Sequence, residues 1–133
     1  MKTKLKNILL IDDDMTVNFL HTFMIESEQV ADSHRIAETA EEALAILSTE
    51  KPDLILLDLN MPKTDGWGFL AKYRKLVPSS RRSRIVILSS SANPDDKLLA
   101  ERSPDISGFY NKPLTKETLL RIVRDTEKKT PKR

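Results

Sequence analysis

Asp12, Asp13, Asp58, Ser89 and Lys112 are the residues whose types and places could do chemistry together. Asp12 and Asp13 follow the apolar run Ile8-Leu9-Leu10-Ile11, and Asp58 follows Leu54-Ile55-Leu56-Leu57. Ser89 follows Ile85-Val86-Ile87-Leu88, and Lys112 comes just after Gly108-Phe109-Tyr110-Asn111. If these runs are parallel strands, all five side chains meet at one edge of a sheet, where ligands of open α/β proteins bind. Three carboxylates held close repel one another and resist ionisation unless a cation sits among them. Lys112 supplies one positive charge and a divalent ion would supply two more. With oxygen ligands alone, Mg²⁺ suits such a site better than zinc. A carboxylate beside Mg²⁺ and a lysine is a nucleophile towards phosphorus, and aspartyl phosphates form in this setting. The competing reading is a structural salt-bridge cluster.

The elements that must position these residues follow from the pattern around them. The Leu54–Leu57 run does not alternate, which predicts a central strand covered on both faces. Pro62 and Asp65-Gly66 predict a loop after Asp58, although a strand-end aspartate can also serve merely as a loop cap. A helix is expected from Asp14, with Val17, Leu20 and Met24 at helical spacing, fading near Ser27 to Gln29. A short polar strand is expected around His34 to Ala37. Thr39 and Glu42 form a capping-box pattern, opening a helix with Ala43, Leu44 and Leu47 inward, which Lys51-Pro52 stops. Trp67 to Leu76 predicts a third helix, with Phe69, Leu70, Tyr73 and Leu76 on one stripe. Pro78 to Arg84 reads as a polar, basic linker. Asn93-Pro94-Asp95-Asp96 opens a short helix through Leu98 and Leu99, and Thr115 caps a last helix with Leu119, Leu120 and Val123 inside. Helical segments between apolar strands, repeated five times, predict a parallel sheet with right-handed crossovers.

The 133 residues suit one domain with a real core. No cysteine is present, so a disulfide framework and a thiolate metal site are excluded, and a reducing cytoplasm is the natural compartment. A formal charge of +2 favours no particular partner. Lys2, Lys4 and Lys6 before Ile8 to Ile11 mimic a signal peptide, but the apolar run is too short, and no stretch is long enough to span a membrane. His21 and His34 have no ligand-spaced partner and read as packing or surface residues. Trp67 reads as a partly covered helix-start residue. Arg81, Arg82 and Arg84, with Lys128, Lys129, Lys132 and Arg133, read as solvated linker and tail, and no DNA-binding motif accompanies them.

The ordered set Ile11-Asp12-Asp13-Asp14, Asp58-Leu59-Asn60-Met61-Pro62 with Asp65-Gly66, Leu88-Ser89-Ser90 and Lys112-Pro113 resembles the response-regulator receiver domains of two-component signalling. The resemblance runs from about Lys6 to Glu127 and implies a flavodoxin-like (βα)5 fold, a doubly wound parallel sheet of strand order 2-1-3-4-5. It implies that Asp58 accepts the phosphoryl group, and that Asp12, Asp13, Asp58 and the backbone carbonyl of Asn60 hold Mg²⁺. Lys112 would contact the phosphoryl oxygens, Ser89 would donate its hydroxyl to them, and Phe109 would turn inward as Ser89 moves. A cis Lys112-Pro113 bond is implied as well. The change would be read on the fourth helix, fifth strand and fifth helix, including Lys97, Leu98, Glu101, Phe109 and Tyr110. Ser89 stands where threonine is frequent, Phe109 where tyrosine is, and Ala40 where glycine is; Asn60 and Ser91 occupy positions that tune hydrolysis. The expectation is a stand-alone receiver over residues 6–127 with a basic tail over 128–133 and no output domain. It would be no enzyme beyond self-catalysed transfer to Asp58. Its partners would be a sensor histidine kinase or histidine phosphotransfer protein and a downstream target protein, with no nucleic acid and no membrane. Two rivals remain open. Asp12-x-Asp14-x-Thr16 also fits the nucleophile motif of haloacid-dehalogenase-like phosphatases, and a pseudo-receiver would bind partners without ever carrying phosphate.

Overall fold

β1 (Leu5–Ile11) and β3 (Leu54–Leu57) carry the two apolar runs that end on aspartate, and they lie side by side in the middle of a parallel sheet. The computed structural model describes residues 4–90 and 93–129, with only the backbone of Lys129. β2 (Ala31–Ala37) flanks β1, while β4 (Arg84–Ser89) and then β5 (Ile106–Asn111) extend the other side. The order is β2-β1-β3-β4-β5, all parallel, with Ile11 opposite Leu57 and Leu57 opposite Ile87. This is the flavodoxin-like order expected from the resemblance.

Because side chains along a strand alternate between faces, the continuous apolar runs build two cores. Leu9, Ile11, Ile55, Leu57, Ile85 and Ile87 pack with α2 (Ala40–Leu47), α3 (Gly66–Leu76) and Ala100 of α4 (Pro94–Glu101). Ile8, Leu10, Leu54, Leu56, Val86 and Leu88 pack with Ile25 of α1 (Met15–Glu28) and Leu119, Ile122 and Val123 of α5 (Lys116–Lys129). Each buried aliphatic side chain contributes roughly 1.5–3 kcal/mol. No helix among the described residues is long and apolar enough to cross a membrane.

Several local expectations change. β2 spans seven residues rather than His34 to Ala37 alone, because its polar side chains sit on an edge strand paired only with β1. The buried stripe of α1 is Asn18, His21 and Ile25, whereas Leu20 is 52% exposed, beside Met15, Phe19 and Phe23 at 75%, 70% and 63%. Leu76, Leu98 and Leu99 are also exposed, so α4 buries only Ala100. The Pro78 to Arg84 stretch is not a solvated linker throughout: it holds a short 3₁₀ turn (Ser79–Arg81), a buried Ser83, and an Arg82 bonded to the end of α3. Asp65-Gly66 makes no glycine turn either. Asp65 caps α3 through a 2.8 Å bond from the Gly68 amide, and the left-handed residue of that loop is Lys63, at φ 67°.

Candidate functional site

Backbone hydrogen bonds carry the sheet one step past its strands and seat the site residues. The Asp12 amide donates to the Ala37 carbonyl at 3.0 Å, the Asp58 amide to Ile11 at 2.9 Å, and the Lys112 amide to Ser89 at 2.9 Å. Three chain ends are thereby locked side by side. The loop after Asp58 is closed by a 2.9 Å bond from the Gly66 amide to the Leu59 carbonyl. Gly66 is needed there for space, since a Cβ would stand 2.8 Å from the Leu59 Cα and 3.0 Å from the Asp58 carbonyl oxygen. The Lys112-Pro113 peptide is cis.

The side chains converge as that frame requires. Lys112 Nζ lies 2.6 Å from Asp12 Oδ2 and 3.3 Å from Asp58 Oδ1. Asp12 and Asp58 are buried and Asp13 is exposed, yet one carboxylate oxygen of each falls within 4.8 Å of the others. Burial pushes the Asp58 carboxyl above its ordinary value and the nearby Asp12 adds to this, against the pull of Lys112 and of the Asn60 amide. Burial works against the charge on Lys112 too, but its bond to Asp12 and the charges of Asp12 and Asp58 outweigh it and raise its pKa. Asp58 Oδ1 is buried, and Lys112 meets it as a long ion pair. A buried carboxylate oxygen in that position, beside two more carboxylates, is the donor set a hard divalent cation takes, so the residues present fit Mg²⁺.

Sequence reasoning missed the support beneath the site. Asn18 donates from Nδ2 to the Asp12 carbonyl at 2.8 Å, and the Asp14 amide donates to Asp12 Oδ1 at 2.9 Å. His21 is buried below; burial, and then the charge of Lys112, hold its pKa down against Asp12. The available signal was spacing: Asn18, His21 and Ile25 form one helical stripe despite two polar members. Asp14, exposed, accepts from the Thr16 and Val17 amides on Oδ1 and caps α1. Asn60 is exposed in the loop after Asp58. Ser89 is fully buried, and with Lys112 and the half-buried Phe109 it lines an open cleft of about 560 Å³. Ser91 lies outside the described residues, as do Lys132 and Arg133.

Trp67 donates from Nε1 to Asp96 Oδ1 at 3.1 Å, which ties the start of α3 to α4.

Known proteins share this fold. A crystal structure of a two-component response regulator from Cytophaga hutchinsonii superposes with a TM-score of 0.87 at 30% identity, covering 95% of this chain and 99% of that one. The two-component response regulator ARR22 of Arabidopsis thaliana is 30% identical over 125 residues, which is 92% of this chain and 84% of that protein. The transcriptional regulatory protein GlrR of Escherichia coli is also 30% identical across 94% of this chain, but the match spans only 27% of its own length. The profile of the response regulator receiver domain matches residues 8–124. With the sheet order, the acidic strand ends and the profile in agreement over most of its length, the chain belongs to the response regulator receiver domain family, whose members are phosphoryl-accepting signalling domains.

Proposed function

We propose that Asp58 is the phosphoacceptor and that the chain catalyses its own phosphorylation there. The observation that supports this most is the buried Asp58 Oδ1, 3.3 Å from Lys112 Nζ and inside a three-carboxylate cluster. A carboxylate oxygen of Asp58 attacks the phosphorus of a donor; the new P–O bond forms as the donor's P–N or P–O bond breaks, and the electron pair leaves with the donor imidazole or carboxylate. Asp12, Asp13, Asp58 and the Asn60 carbonyl oxygen would hold Mg²⁺, which supplies positive charge against the phosphoryl oxygens when bound. Lys112, 3.3 Å from Asp58 Oδ1, would pair with an oxygen of the transferred group. The phosphoryl group adds roughly −1.5 to −2 charge if it resembles other phospho side chains. The Ser89 hydroxyl then donates to it, and Phe109 moves into the cleft that both residues line.

The phosphoryl donor in this reading is a sensor histidine kinase or a histidine phosphotransfer protein in the cytoplasm. Support comes from α1, which begins beside the acidic loop and presents Met15, Phe19, Leu20 and Phe23 to solvent. A helical donor that brings its phosphohistidine to Asp58 covers that stripe, and exposed apolar patches of this kind mark protein contacts. The altered surface of α4, β5 and α5 would engage a downstream protein. The proposed receiver unit is residues 6–127, followed by a basic tail over 128–133. Incubation with a small acyl phosphate, with intact mass as the readout, tests the assignment: the adduct should need Mg²⁺ and vanish in Asp58→Asn. An adduct that survives in Asp58→Asn and is lost in Asp12→Asn would transfer the nucleophile to Asp12.

A further inference from the structure

At the opposite edge of the sheet, where β4 and β5 begin, an open cavity of about 840 Å³ lies among the ends of α3 and α4 and the loop before β3. Five cationic side chains and only two carboxylates, Asp53 and Asp105, line it. Two of the cations are occupied. Arg74 makes a two-point pair with Asp105 at 2.7 and 2.9 Å. Arg82 donates to the carbonyls of Val77 and Arg74 at 3.0 and 2.9 Å, which closes the C-terminal end of α3 as arginines there commonly do. Lys51, Arg84 and Arg102 remain, and among the described residues none of them has a carboxylate within ion-pair distance. The same wall holds two buried donors without partners, the Ser83 hydroxyl and Arg84 Nε, and Ser83 is only 7% exposed.

Unpaired cations gathered in one concavity repel one another, and buried donors without acceptors are rare. An anion held among Lys51, Arg84 and Arg102 relieves that repulsion. We propose that this cavity binds a small phosphate-bearing anion through Arg84, Arg102 and Lys51. Guanidinium groups match phosphate oxygens in two-point geometry. The volume lies in the range of small-molecule sites, roughly 300–1,000 Å³. No aromatic ring lines the cavity, and its charged side chains are those that pair with phosphate oxygens, so the phosphate part is what is recognised. The site is separate from Asp58: β4 runs from Arg84 at the cavity to Ser89 at the acidic edge, five steps or ~17 Å.

The test is titration of the full chain with inorganic pyrophosphate in EDTA, followed by amide NMR and calorimetry. Saturable one-to-one binding is expected, with shifts centred on Ser83, Arg84 and Arg102. The Arg84→Gln/Arg102→Gln variant should bind about tenfold more weakly while its reaction with an acyl phosphate stays unchanged. Arg102→Gln alone, at an exposed position, should weaken binding by about threefold without affecting folding. A nucleoside diphosphate that binds no more tightly than pyrophosphate would support recognition through phosphate. Unsaturable shifts, equal binding by the variants, or shifts confined to Asp12, Asp58 and Lys112 would overturn the proposal. So would a short RNA that binds more tightly than pyrophosphate and loses that affinity in the same variants.

Discussion

Lys112 pairs with the buried Asp12 and Asp58, and in the proposed function it also answers a phosphoryl group, two roles that a substitution can separate. In Lys112→Ala the three carboxylates stay, so Mg²⁺ binding should be largely retained, while the NMR shifts of α4, β5 and α5 on acyl-phosphate treatment should disappear. A surface response equal to that of the wild type would remove Lys112 from the switch. Gly66 makes a steric prediction. Its added methyl would meet backbone on the far side of the loop, so Gly66→Ala should cost about 2 kcal/mol in urea unfolding and slow the reaction at Asp58. Gly68 is the control: there the nearest atom is the Thr64 Cγ2 at 2.9 Å, the end of a side chain that can rotate, so Gly68→Ala should stay within about 1 kcal/mol of the wild type.

Among the elements, α1 shows what hydrophobic spacing can and cannot tell. The strands were legible because Ile8–Ile11, Leu54–Leu57 and Ile85–Leu88 are covered on both faces, a condition that leaves an unbroken apolar run. Their polar ends pointed to the acidic cluster for the same reason. On α1, apolar spacing pointed to Val17, Leu20 and Met24, yet the helix turns Asn18 and His21 inward because its N-terminal half lies over polar groups at the Asp12 strand end. Asn18 is held inward by its bond to the Asp12 carbonyl, and a hydrophobic count cannot register that. Phe19, left outside at 70% exposure, should therefore be replaceable: Phe19→Ser is expected to shift the thermal midpoint little, to leave acyl-phosphate labelling unchanged, and to slow transfer from a phosphohistidine protein. The end of α1 supplies a stability prediction. Gln29 caps it in the left-handed region at φ 53°, so Gln29→Gly should stabilise the fold by about 1 kcal/mol in urea unfolding.

At the scale of the whole molecule, a carboxylate cluster at the strand ends stands opposite a cavity rich in cations where β4 and β5 begin. Gathering Arg82 and Arg84 from a short basic stretch with Lys51 and Arg102 from elsewhere depends on tertiary packing, which is why the stretch reads as a solvated linker in isolation. The Arg74 pair contributes to stability on the basic side. Its hydrogen bonds, more than its charge, hold the Asp105 carboxyl below its ordinary value against the effect of burial. A carboxyl lowered in the native state adds stability above its unfolded pKa, and that share is lost as pH falls through the native value. Arg74→Gln should thus cost about 1 kcal/mol at neutral pH, discounted for partial exposure, and the gap to the wild type should close in acid, below about pH 4. The proposed function turns on Asp58, and intact mass after acyl-phosphate treatment, with and without Mg²⁺, tests it most directly. A single phosphoryl adduct that requires Mg²⁺ and is absent from Asp58→Asn is the predicted result; no adduct on the wild type, or one that persists in Asp58→Asn, would contradict it.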